Sequence, residues 1–250
     1  MGDLFNTLPV SSISSKGKLY LLPTLLGEGE PSEVLPRSIA NLVERIDHFI
    51  VENEKTARRH IKQLVPEKPQ DSLKLRVLNK HTDQSALPDF LKACHAGEDM
   101  GLLSEAGCPG IADPGADIVS IAHRQGIQVV PMVGPSSILL AMMGSGMNGQ
   151  SFAFNGYLPI DRQARKNELK NLERLSLEKN QAQIFIETPY RNDKMLDTLI
   201  QVLHSSTRIC VACDLTLPTQ YILTRPAGEW KKQKPQLHKR PCIFILQRDQ

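Results

Sequence analysis

A chain of 250 residues with 40% hydrophobic and 23% charged residues has the composition of a globular protein, and is long enough for one large domain or two smaller ones. No apolar run approaches the roughly 20 residues that cross a bilayer, and no basic stretch with an apolar core opens the chain; neither membrane span nor secretory leader is expected, and a cytoplasmic location is. The formal charge of +3 conceals an asymmetry, because residues 1–150 hold 14 Lys and Arg against 17 Asp and Glu, hence −3, whereas residues 151–250 hold 16 against 10, hence +6. A basic half beside an acidic one suggests an anionic partner docking on one side, with an unevenly charged solvated surface as the plainer alternative.

In chain order, residues 1–16 are polar, Ser-rich and without period, and are expected to form a flexible lead-in. Residues 18–22 read as a first strand ending at Pro23-Thr24 and a loop through Gly27. Ile39, Leu42, Val43 and Ile46 have helical spacing, and 48–52 is a second strand. Asn53 is placed to cap a helix carrying Ile61, Leu64 and Val65, which Pro66 ends. A third strand is expected over 73–79 and a helix over 87–96. A buried strand then runs through Gly101-Leu102-Leu103 into Ser104-Glu105-Ala106-Gly107-Cys108-Pro109-Gly110, with a helix from Asp113-Pro114 to Gly126 and a fifth strand over 127–133. Strand and helix alternate throughout, the signature of a parallel sheet covered on both faces.

At Gly134-Pro135-Ser136-Ser137 the pattern breaks into an apolar helix, so the expected division is 17–134 and 135–250, two α/β domains. The second is expected to hold strands at 151–157, 181–187, 207–213 and 242–246, with helices at 162–178 and 192–203. Five cysteines at irregular spacing (Cys94, Cys108, Cys210, Cys213, Cys242) argue for reduced thiols rather than a disulfide framework. Cys210 and Cys213 form a C-x-x-C, but in a strand positions three apart face opposite sides, and no second pair accompanies them. No metal site is expected.

Three loops follow predicted strands: Pro23-Thr24 with Gly27, 104–110, and Gly134-Pro135-Ser136-Ser137. In one parallel sheet they gather at its carboxyl edge, where open α/β sheets bind ligands. Each alone is more simply a tight turn. Gly27-Glu28-Gly29 lacks the third glycine of a dinucleotide fingerprint and is followed by acidic residues that repel a pyrophosphate. Walker A, HExxH and Gly-x-Ser-x-Gly motifs are absent, which leaves a ligand held mainly by backbone groups.

The block from Ser104 to Gly115, then Gly126-Ile127-Gln128-Val129-Val130-Pro131-Met132-Val133-Gly134-Pro135-Ser136-Ser137, Phe154-Asn155-Gly156-Tyr157-Leu158-Pro159 and Phe185-Ile186-Glu187-Thr188-Pro189-Tyr190-Arg191, closely resembles the bacterial 2′-O-ribose methyltransferases that act on a cytidine of small-subunit ribosomal RNA, within the tetrapyrrole (corrin and porphyrin) methylase superfamily. The likeness runs from about Lys18 to the last residues. It implies two α/β domains with S-adenosylmethionine in the cleft between them, a homodimer, and ribosomal RNA or the small ribosomal subunit as partner. Pro23, Gly27, Ser104, Glu105, Ala106, Gly107, Gly134, Pro135, Ser136, Tyr157 and Thr188 are the cofactor-binding residues it implies. Where that family has Pro-Thr-Pro-x-Gly-Asn and Glu-Asp-Thr-Arg, this chain has Pro23-Thr24-Leu25-Leu26-Gly27-Glu28 and Glu52-Asn53-Glu54-Lys55.

A ribose hydroxyl is a poor nucleophile, so a positioned base helps. Glu105 and Glu187, in strand-end loops of opposite domains, are the candidate catalytic carboxylates; helix capping is the competing role for Glu187. Arg162, Arg165, Lys166 and Lys170 are candidate RNA contacts, with a second basic cluster at Lys231, Lys232, Lys234, Lys239 and Arg240, and Tyr157 or Tyr190 offers a ring for stacking. Two other readings stand beside this one: a small-molecule, tetrapyrrole-like methyltransferase, and a cofactor-binding paralogue without catalysis.

Overall fold

The computed structural model describes residues 16–232 and 234–249, so the expected lead-in lies outside the described residues except for Lys16, whose ammonium donates to the Gln125 carbonyl at 2.6 Å. Two compact units are present. The first comprises residues to Thr24 and Pro36–Val133, and the second comprises Leu25–Leu35 and Gly134 onward. This differs from the unbroken 17–134 domain expected: the segment after the first strand leaves for the second unit and returns.

The first unit is a parallel five-stranded sheet in the order β3-β2-β4-β1-β5, built from β1 (Leu19–Leu22), β2 (His48–Val51), β3 (Lys74–Val77), β4 (Met100–Leu103) and β5 (Val129–Pro131). Adjacent β1 and β4 pair from Leu19 with Met100 to Leu22 with Leu103. Their onward connections lead to opposite sides, β1 toward β2 and β4 toward β5, which makes this pair the switch point of the sheet. Gly101 on β4 is required by close packing: a Cβ there would lie 2.6 Å from the Phe49 ring and 2.8 Å from Leu22.

Short α1 (Pro31–Val34) belongs to the segment that joins the second unit. In the first unit α2 (Arg37–Arg45) buries Ile39, Leu42 and Val43, and α3 (Glu54–Leu64) buries Ala57 and Ile61. Asn53 caps α3 as expected, accepting from the Lys55 and Thr56 amides at 2.9 and 3.3 Å. The helix expected over 87–96 is instead a 3-10 run, Gln84–Leu91, continued by α4 (Lys92–His95). Pro88 lies inside that run, where it removes an amide donor and opposes regular α-helix. Leu87, Phe90 and Leu91 nonetheless meet Ile118, Ile121 and Ala122 of α5 (Gly115–Arg124) in one core cluster.

Past Val133 the second unit continues with α6 (Ser137–Ser145), capped by Ser136, whose hydroxyl accepts from the Leu139 amide at 3.5 Å. Its sheet, β6-β7-β10-β8-β9, is mixed. Strands β6 (Phe152–Tyr157) and β7 (Ala182–Ile186) pair parallel, whereas β10 (Cys242–Gln247) runs antiparallel between β7 and β8 (Arg208–Cys213), and β9 (Tyr221–Pro226) runs antiparallel on the β8 edge. Helices α7 (Arg162–Lys179) and α8 (Asn192–Val202) pack with Trp230 of α9 (Ala227–Trp230) on one face of the sheet, and α6 lies on the other. Cys213 belongs to the first of these clusters and Cys210 to the second, so the C-x-x-C pair does point to opposite faces. Burial pushes the Cys210 thiol up to about 11 and Cys94 up to about 12, as expected of unreactive core thiols. Among the described residues no group of three or more His, Cys, Asp or Glu is placed to hold a metal ion, and no helix is long and apolar enough to cross a membrane.

Candidate functional site

The carboxyl edge of the first sheet is organised by the loop after β4. Gly107 takes a φ of +75°, a conformation only glycine adopts freely, and its carbonyl turns back to accept from the Thr24 amide at 3.0 Å and the Ser104 hydroxyl at 2.9 Å. The Thr24 hydroxyl donates to the Ser104 carbonyl at 3.3 Å, so the ends of β1 and β4 are laced together. Pro23, Ser104 and Gly107 are buried in this lacing, and Glu105 and Ala106 are left exposed at its tip. Five of the expected cofactor residues therefore meet at the switch point.

Two residues that sequence reasoning did not select complete this edge. The Glu105 amide donates to Glu52 Oε1 at 3.1 Å, and the Glu105 carboxylate accepts from the Thr56 hydroxyl at 2.6 Å. Glu52 directly follows β2 and Thr56 lies in the first turn of α3, so the available signal was position at a strand end. Asp113 accepts from the Gly110 and Gly115 amides at 2.9 and 2.7 Å, folding the second half of the loop onto the start of α5. Asp113 stands one residue before Pro114, the N-cap of α5, so the helix begins at Gly115 and not at Asp113-Pro114.

Burial raises the Glu52 carboxyl above its usual 4.5, Asp113 and Glu105 add to the rise, and the Glu105 amide opposes it. Burial likewise raises Asp113, against the two loop amides. A carboxyl raised in the folded state stabilises the fold when protonated; that contribution is present at low pH and is lost as pH rises through the folded value. Glu52→Gln keeps the acceptor and cannot ionise. It is expected to melt above the wild type near about pH 7 and to converge with it toward about pH 4, which thermal denaturation across that range checks.

The remaining predicted residues lie in the second unit. Gly27 packs against Leu217 in the segment that precedes α1, and Gly134, Pro135 and Ser136 lead into α6. The chain passes between units two residues beyond β1 and two beyond β5, so these loops are also the connections. Tyr157, 61% exposed, is in register with Ile186, which puts it beside the Glu187–Arg191 loop. Glu187 is buried; its Oε1 accepts from the Thr188 amide at 2.6 Å and from Arg191 Nε and Nη2 at 2.9 and 2.6 Å. That is the geometry of a carboxylate holding the turn into α8. Arg162 and Lys170 are exposed and Lys166 is half-buried on α7, whereas the Arg165 guanidinium donates to the Ile160 carbonyl at 2.9 Å and so clamps the preceding loop.

The donor set of the first unit suits a cationic ligand. Glu52, Glu105 and Asp113 line one edge together with backbone groups, and such an edge favours a sulfonium and disfavours a pyrophosphate. Ser104, Glu105, Ala106 and Gly107 are the residues of this unit that would hold S-adenosylmethionine, which supplies an activated methyl group when bound.

Solved methyltransferases share this architecture. The methyltransferase CobJ is similar over 92% of this chain and 94% of its own, with a TM-score of 0.61 at 14% identity. The uroporphyrin-III C-methyltransferase of Thermus thermophilus complexed with S-adenyl homocysteine is similar over 92% and 97%, with a TM-score of 0.56 at 15% identity. Cobalt precorrin-4 methyltransferase CbiF is similar over 95% and 98%, with a TM-score of 0.59 at 12% identity. The class is therefore a two-unit α/β fold of the kind these structures share. The chain belongs to the tetrapyrrole (corrin/porphyrin) methylases, whose family pattern it matches over residues 27–231, and is an S-adenosylmethionine-dependent methyltransferase. Among curated relatives, the ribosomal RNA small subunit methyltransferase I of Escherichia coli O157:H7 is 28% identical over 240 residues, covering 95% of this chain and 80% of that protein. The protein of the same name from Bacillus subtilis strain 168 is 30% identical over 205 residues, covering 81% and 65%.

Proposed function

We propose that this protein transfers the methyl group of S-adenosylmethionine to the 2′-hydroxyl of a cytidine ribose in small-subunit ribosomal RNA. The observation that carries the reading is the match, nearly from end to end, to relatives named for small-subunit ribosomal RNA methylation. The site adds a physical reason. Arg162, Arg165 and Lys166 crowd the first turns of α7, where positive charge opposes the helix dipole, and phosphates arriving at that end would relieve the conflict.

In this reading Ser104, Ala106 and Gly107 bind the donor through backbone groups, with Pro23, Gly27, Gly134, Pro135, Ser136, Tyr157 and Thr188 as the further donor-binding set. Glu105, exposed and oriented by the Thr56 hydroxyl, would accept the proton of the ribose hydroxyl as its oxygen bonds to the methyl carbon and the carbon–sulfur bond breaks, the electron pair staying on sulfur as a neutral thioether. Glu187 secures the Thr188–Arg191 loop through Arg191. Arg162, Lys166 and Lys170 contact phosphates. The protein works in the cytoplasm as a homodimer, a role supported by the exposed Leu139 and Met143, 52% and 79% accessible on one face of α6.

The test incubates the protein with labelled S-adenosylmethionine and small ribosomal subunits lacking the modification. Label is expected in a ribose of the small-subunit RNA; measurable donor binding without transfer to RNA would overturn the assignment. The double variant R162A/K166A is expected to bind the subunits at least about tenfold more weakly, with the slope of log affinity against log salt smaller by about 2, one unit for each lost phosphate contact.

A further inference from the structure

Tyr190, in the loop after β7, and His238, in the turn before β10, are residues that the preceding assignment does not use. Tyr190 is 68% exposed, and its ring stands edge-to-face with His238, centroids 5.7 Å apart at 72°. Two exposed rings at that angle leave a re-entrant corner instead of a closed stack. The corner is held rigidly. The Lys239 amide donates to the Pro189 carbonyl at 3.0 Å, the Leu237 amide to Asp193 at 2.9 Å, and the Asn192 side-chain amide to the Arg240 carbonyl at 2.6 Å. Lys239, exposed and next in sequence to His238, takes a left-handed φ of +63°.

The charges nearby are already committed. Arg240 pairs with Asp214 at 2.8 Å, Lys234 with Asp197 at 2.5 Å, and the loop carboxylate Glu187 is paired with Arg191. Lys239, which follows His238 directly, has no ion-pair partner among the described residues. A solvent-exposed tyrosine against a histidine, tied down by one backbone–backbone and two side-chain–backbone hydrogen bonds and followed by a lysine, presents a flat π surface with a cationic residue adjoining it. That combination recognises an unpaired nucleobase and its adjoining phosphate, because every base has a face to stack and a duplex hides it. The ordering cost has been met in advance by the loop bonds.

We infer that Tyr190, His238 and Lys239 form a stacking subsite for an unpaired nucleotide of the RNA substrate, an inference that rests on the assignment of RNA as the methyl acceptor. The experiment titrates a short fluorescent single-stranded RNA, and the same sequence as a duplex, onto the full-length wild type and the variants Y190F, Y190A, Y190L and K239A over a range of salt. Y190A and Y190L are expected to bind the single strand about tenfold more weakly with an unchanged salt slope, Y190F to bind as the wild type, and K239A to lower the slope by about 1. Y190L separates a π face from mere apolar bulk. Affinity unchanged in Y190A and Y190L, an equal loss in Y190F, or a preference for the duplex would refute the subsite. The methyl-transfer assay keeps the two assignments apart: transfer by the wild type with unchanged Y190A affinity refutes the subsite alone, whereas a wild type that neither transfers methyl nor binds RNA refutes both.

Discussion

Replacing Gly107 by valine is expected to cut affinity for S-adenosylmethionine by more than about tenfold and to abolish measurable methyl transfer, while Gly107→Ala loses less. At φ +75° a β-branched residue costs on the order of 1–3 kcal/mol, and relaxing toward an allowed φ rotates the Gly107 carbonyl away from Thr24 and Ser104. One of the two laces between β1 and β4, from the Thr24 amide, ends on that oxygen, and so does the Ser104 hydroxyl that closes the loop on itself. Loss of about 1.4 kcal/mol in binding is already tenfold. The fold should survive, since the loop lies at the rim and the sheet beneath it is paired on both sides of β4. Titration calorimetry with the donor, beside a melting curve, decides the matter: a valine variant that is folded and binds the donor like the wild type would remove this loop from the site.

Trp230→Ala is expected to destabilise the second unit by about 3–5 kcal/mol and to lower its melting temperature by roughly 10 °C. Trp230 is fully buried, the largest such side chain, and closes the cluster of Leu203, Ile209, Leu237 and Ala227. Its indole Nε1 donates to the Ile209 carbonyl at 3.1 Å, and the Arg225 guanidinium lies 6.0 Å from its ring. Truncation leaves a cavity of indole size below a short helix that cannot collapse to fill it. Because this is the sole tryptophan, its fluorescence follows unfolding of the wild type and circular dichroism must follow the variant. A shift below about 3 °C would mean that the cluster repacks around the void.

Much of the second unit near Trp230 was not legible beforehand. Residues 221–226 form an edge strand whose side chains are all half-buried, so no alternation of apolar and polar residues marks it. The 3-10 run over Gln84–Leu91 shows the converse case, in which Leu87, Phe90 and Leu91 kept their core positions while Pro88 changed the backbone that carries them. Asn53 and Gly126, by contrast, were readable because a cap or a left-handed stop is a local event, decided by one side chain and its immediate amides.

The candidate site divides along the same line. Its position after β1 and β4, its glycine turn and its backbone character followed from residue order, since glycines, prolines and strand ends act within a few residues of themselves. The supports did not. Glu52 and Thr56 hold Glu105 across separations of 53 and 49 residues, and Glu187 accepts from Arg191 because the turn into α8 brings the guanidinium back. The linear chain by itself determined the alternation of elements, the family pattern and the loops available for a ligand. Tertiary structure alone decided which carboxylate is exposed and which is spent on an ion pair, because burial and charge pairing depend on neighbours that only folding brings within a few ångströms.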